Sequence, residues 1–152
     1  MAEKTQRGGD TWTEDELAAM KEHAAEQKAA RSRKGTKEEK AAAEAQGVLD
    51  KIAELSGDDK VLAEQVHAIV TAAAPELAPK TWYGMPAYYK DGKVLCFFQP
   101  GSKFKARYST LGFDESAQLD DGRLWPTSFA LTTIGPEEEA TITTLVTRAL
   151  GR

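Results

Sequence analysis

One cysteine and two histidines are all that this 152-residue chain offers to thiol or soft-metal chemistry. Cys96 alone forms no internal disulfide and no cysteine-based zinc site, and His23 and His67 stand in no H-x-x-x-H or His/Cys spacing. No apolar run approaches the roughly 20 residues that a membrane-spanning helix needs. The polar N-terminus lacks a signal-peptide core, so a cytoplasmic location and no membrane contact are expected. Cations are not in excess either. A formal net charge of -4 argues against a dedicated nucleic-acid binder, which carries a basic footprint. The phosphate-cradling loops G-x-x-x-x-G-K-[ST] and G-x-G-x-x-G are missing, as is the G-x-S-x-G nucleophile elbow. With no acid/base pair or activated nucleophile in view, a non-enzymatic role is expected.

Large apolar side chains are scarce in the first third. From Met1 to Gln46 they are Met1, Trp12, Leu17 and Met20, in a background of Ala, Glu, Lys, Gln and Arg. That composition favours helix but cannot build a core. Residues 1–10, with Gly8-Gly9, read as a disordered tail. Residues 1–46 are therefore expected to be a flexible tail and a polar helical extension, loosely packed or projecting, ahead of a domain over 47–152.

Capping boxes locate the first helices. Thr13 with Glu16 starts one that runs from Glu14 to about Ala30, ended by Arg31–Gly35. Thr36 with Glu39 starts a second that reaches Leu55, with Ala45, Val48, Leu49, Ile52 and Leu55 on one face. Ser56–Asp59 opens a third, whose Val61, Leu62, Val66, Ile69, Val70 and Ala73 recur at helical spacing before Pro75 and Pro79 stop it.

The stretch Pro79–Tyr108 is dense in rings. Thr81–Tyr83 and Ala87–Lys90 read as short strands around Gly84-Met85-Pro86. Asp91-Gly92 is a two-residue hairpin signal, and Lys93–Gln99, apolar on both faces, reads as a central strand. Lys103–Tyr108 alternates Lys103, Lys105 and Arg107 against Phe104, Ala106 and Tyr108, the pattern of a half-buried strand. Asp114–Gln118 reads as one helical turn, Phe129–Thr132 as a last strand, and Pro136 as the start of a closing helix with Ile142, Leu145, Val146 and Leu150 inward. Helices, then a meander, then a helix define an α+β fold: an antiparallel sheet of about five strands with helices packed on one face.

The run Pro79-Lys80-Thr81-Trp82-Tyr83-Gly84-Met85-Pro86-Ala87-Tyr88, with Lys93–Gln99, Lys103–Tyr108, Leu111-Gly112-Phe113 and Ala130-Leu131-Thr132, resembles the bacterial YdhG-like domain family. The resemblance covers roughly Asp50 to Leu150, the size of an ordinary domain. It implies a small α+β domain related to frataxin-like intracellular iron chaperones, with Fe(II) held weakly and exchangeably and no tightly bound cofactor. Iron–sulfur assembly or haem-synthesis proteins are the partners it implies.

Two candidate sites follow from the residues. Trp82, Tyr83, Met85, Tyr88 and Trp125, with Lys103, Lys105 or Arg107 for charge, could line a cleft for a small flat ligand or a protein partner; the same rings could instead fill the core. Asp114, Glu115, Asp120 and Asp121 are the hard oxygen donors that ferrous iron prefers, although such acids also serve as turn and surface residues. Glu137-Glu138-Glu139 is accounted for by the dipole of the closing helix.

Overall fold

In the computed structural model, which describes residues 5–7 and 10–152 and side chains from Trp12 onward, two left-handed turns organise the sheet. Strand β3 (Ala78–Trp82) passes through Tyr83 (φ 52°) and Gly84 (φ 76°) into β4 (Met85–Lys90). β4 passes through Asp91 (φ 51°) and Gly92 (φ 80°) into β5 (Lys93–Gln99). Positive φ at both central residues is the type I′ geometry whose twist matches the flanking strands. Asp91-Gly92 is the turn expected from the sequence. The first turn is tighter than expected, because Met85 and Pro86 belong to β4 and not to the connection.

β6 (Ser109–Phe113) and β7 (Ser128–Leu131) complete a five-stranded antiparallel meander in the order β3-β4-β5-β6-β7. The fourth strand is displaced from its expected place. Lys103–Tyr108 is no strand: Ser102–Phe104 forms a 3-10 turn and Lys105 adopts a left-handed φ of 54°. The Ala106 N–H then donates back to the Gly101 carbonyl at 2.8 Å. The alternation of charge and ring in that segment was real, but nothing pairs with it; Ser109–Phe113 pairs with β5 instead.

β5 carries a bulge. Tyr88 pairs with Cys96 and Tyr89 with Val94, so Leu95 has no cross-strand partner. The extra residue lets Leu95 and Cys96, neighbours in sequence, both enter the core.

The helices form where their caps predict. Thr13 accepts the Glu16 N–H at 3.1 Å ahead of α1 (Glu14–Ser32), and Thr36 accepts the Glu39 N–H at 3.1 Å ahead of α2 (Lys37–Glu54). α3 (Gly57–Ala73) and α4 (Pro136–Ala149) follow. α2 is continuous through the boundary expected at 46/47. Val48 and Ile52 of α2, Leu62, Val66 and Val70 of α3, and Ile142 and Val146 of α4 pack on the sheet face carrying Tyr88, Cys96, Phe98, Leu111, Phe113 and Leu131. Val61, counted on the apolar side of α3, instead points to solvent. Part of the expected tail, residues 1–4 and 8–9, lies outside the described residues. Within it Thr5–Arg7 (β1) pairs antiparallel with Asp10–Trp12 (β2). Among the described residues no helix is long and apolar enough to cross a membrane.

Candidate functional site

The rings named from sequence divide between the two sheet faces. Tyr88 is completely buried on the helix-covered face, where its hydroxyl lies 2.9 Å from His67 Nδ1. Trp125 packs half-buried against the same core. Met85 is buried. Arg107 stands exposed with its guanidinium over the Tyr108 ring at 5.2 Å, away from the others. Trp82 and Tyr83 remain half-exposed and belong to a different arrangement.

That arrangement is a row of rings along the β3–β4 turn. Phe97 meets Trp82 at 5.2 Å, Trp82 meets Tyr83 edge-on at 5.1 Å, and His23 of α1 stacks on Tyr83 at 4.0 Å with planes 12° apart. Phe97 reaches this row because it points from β5 to the face opposite the core and lies over Gly112 of β6.

α1 is docked on this turn. Its contacts are polar, and Ala19 is its one buried residue among those described. The Glu26 carboxylate accepts the Tyr83 N–H at 3.1 Å and the Gly84 N–H at 2.7 Å, one on each oxygen. Two consecutive amides in left-handed conformation form a concave anion seat. Glu22, one helical turn earlier, accepts from Lys51 of α2 at 3.1 Å and from Lys103 of the 3-10 turn at 2.8 Å. Burial opposes ionisation of Glu22, but the Lys103 and Lys51 ammonium groups outweigh it and hold its carboxyl below the usual 4.5. Lys51 is correspondingly raised: burial alone would lower it, and Glu22 and Glu54 more than compensate. Gly84 suits the turn by its positive φ, and a Cβ there would displace the ends of two side chains, the Glu22 carboxylate and Lys103 Nζ at 2.7 Å.

Open grooves flank the docked helix. One of about 270 Å³ runs between α1 and α2, past Glu22, Glu26, Lys51 and Lys80. Another of about 370 Å³ lies between Lys51, Asp59, Gly84 and Lys103. Asp59, buried at the start of α3, accepts from the Ser102 N–H and the Ser109 hydroxyl, each at 3.2 Å, and so fixes the 3-10 turn that carries Lys103. Tyr89 borders a third groove beneath Lys80; its hydroxyl is pushed up to about 12 by burial, then by the Glu26 and Glu44 carboxylates. Chemically, this site can seat a carboxylate on two N–H donors, neutralise a second one between two ammonium groups, and stack a ring. Cys96 takes no part: burial pushes its thiol up to about 12.

Sequence reasoning reached Trp82, Tyr83 and Lys103 but not Glu22, His23, Glu26, Lys51 or Asp59. The E-x-x-x-E spacing of Glu22 and Glu26 was visible, yet it is indistinguishable from an ordinary solvated helix face. Asp114, Glu115, Asp120 and Asp121 are all exposed on the β6–β7 connection. Among the described residues, no group of three or more His, Cys, Asp or Glu side chains is placed to hold a metal ion. The fold and site together define an α+β domain with a cation- and amide-lined turn. No family model matches the chain, and no curated protein or solved structure matches it.

Proposed function

We propose that this is a YdhG-like, non-catalytic binding module whose recognition surface is the β3–β4 turn with its ring row, and whose ligands carry carboxylates. The observation that supports this reading is the seating of Glu26 on the Tyr83 and Gly84 amides, with Glu22 one turn earlier held between Lys51 and Lys103 of two other elements. Ring faces supply apolar contact area, and a few placed donors fix orientation, which is the usual make-up of a binding site. Trp82 gives the assay its signal. Titration with a panel of aromatic carboxylates should quench its emission saturably, and Trp82→Phe should remove the change. The absence of a saturable change with every compound would end this reading.

Iron carriage, the role implied by the family resemblance, is the rival reading. Its support is the placement of Asp114, Glu115, Asp120 and Asp121 on one exposed connection, since carboxylate oxygens suit a hard cation. Anaerobic calorimetry with Fe(II) decides it. A chain with D114N, E115Q, D120N and D121N that binds as the native one does would remove these residues from the account.

A further inference from the structure

We infer that the groove beneath α1 is a receptor for an acidic helix bearing two carboxylates one turn apart, and that α1 is its resident intramolecular competitor. The inference rests on the reading of the β3–β4 turn as the recognition surface and specifies the partner that this surface takes.

The receptor is built without α1. Lys51 is held by α2, which is anchored in the core by Val48 and Ile52. The Tyr83 and Gly84 amides are fixed by the β3–β4 ladder, whose pairing runs from Ala78–Tyr89 to Trp82–Met85. Lys103 sits on the 3-10 turn pinned by Asp59. These three groups come from separate elements and converge on one helix face, so the arrangement persists when the helix leaves.

α1 is the element least able to stay by itself. It offers no apolar stripe to the domain, and its hold rests on Glu22, Glu26, the His23 ring and a single buried residue, Ala19. Elements with few buried apolar contacts open at low cost. The link Arg33–Thr36, with Gly35 at φ 122°, joins it to α2, and Arg33 pairs with Glu44 at 3.3 Å. Glu22 and Glu26, spaced i and i+4, project from one face. They specify the partner's chemistry: a helix with Glu-x-x-x-Glu, with a flat ring at the residue after the first glutamate to meet Tyr83. Tethering gives α1 an effective concentration on the order of millimolar, so an outside helix binds the native chain weakly until α1 is loosened.

The probe is a fluorescein-labelled synthetic peptide with the sequence Glu14–Ser32, followed by polarisation against the full chain. The E22Q/E26Q chain should bind it at least roughly tenfold more tightly than the native chain, because its own α1 competes less. Adding K51Q and K103Q should abolish that gain, and a peptide carrying E22Q and E26Q should not bind. If the double substitution prevents folding, His23→Ala, which removes only the stacked ring, takes its place with the same expected direction. Equal affinity of native and loosened chains, or equal binding of the substituted peptide, overturns the inference. Trp82 quenching by aromatic carboxylates on the same samples separates the two levels. Quenching without peptide binding removes the acidic-helix partner and leaves the recognition surface standing; loss of both removes both.

Discussion

Phe97 covers Gly112. The two are register partners on β5 and β6, and the ring covers the glycine so closely that a Cβ built there would come within 2.7 Å of the ring-edge carbons. The missing side chain is what allows Phe97 to lie along the sheet and meet Trp82, so a glycine in one strand positions a ring row that ends in a different helix.

Gly112→Ala should therefore destabilise the fold by about 1–3 kcal/mol through overpacking. Urea unfolding measures the loss, and the emission of Trp82 should shift as Phe97 is pushed off it. Phe97→Ala in the same chain should recover much of the loss, giving a coupling energy that a purely local backbone effect would not.

Glu26→Gln keeps a carbonyl acceptor but loses the charge that strengthens both amide contacts. Hydrogen exchange should show the Tyr83 and Gly84 amides exchanging faster by about tenfold, corresponding to roughly 1.4 kcal/mol. The amides of β5 and α3 should be unchanged. Trypsin should also cut sooner between Arg31 and Lys34. Unaltered protection at Tyr83 and Gly84 would mean that something other than Glu26 shields the turn.

Acid should release α1 before it unfolds the domain. The folded-state pKa of Glu22 lies below its ordinary 4.5, so its contribution is fully present above 4.5 and is lost as pH falls through the depressed value. Exchange at the β3–β4 turn should rise in that window while near-ultraviolet circular dichroism of the core persists. Salt should act in the same direction, since the Glu22 side chain is about a third exposed and its pairs are partly screened.

His67 ties α3 to β4 through Tyr88. Burial lowers its pKa from 6.5, so the unfolded chain takes up the proton first. Its contribution is complete above pH 6.5 and declines as pH falls from there towards the folded-state value. With Nδ1 unprotonated, the Tyr88 hydroxyl donates to it, and Tyr88→Phe should cost about 1–2 kcal/mol, with a denaturant slope unchanged from the native chain. A Tyr88→Phe chain as stable as the native one would leave that hydroxyl without a structural role.

Much of the scaffold was legible because its signals are local. Thr13 and Thr36 cap as their spacing to Glu16 and Glu39 requires, and Asp91-Gly92 turns where its two residues tolerate positive φ. The α+β order and the antiparallel meander followed from the same reading. Lys103–Tyr108 misled because alternation states which residues could share a strand face, not whether a partner strand is available. Ser109–Phe113 carries no strand signal for the converse reason: Ser109 and Gly112 look like loop residues, yet one bonds to buried Asp59 and the other lies beneath Phe97.

The chain's order of residues determined the caps, the turns, the helical stripes and the concentration of rings in the middle, all of which act over a few neighbouring positions. Tertiary structure alone decided that Tyr88 and Trp82 face opposite sides of the sheet, that Leu95 bulges, and that Glu22 and Glu26 are ligands for the domain and not a solvated face. The physical reason is range. A carboxylate's partner, 58 residues away in the case of Glu26 and Gly84, is chosen by which backbone amides and ammonium groups the packed core leaves facing it.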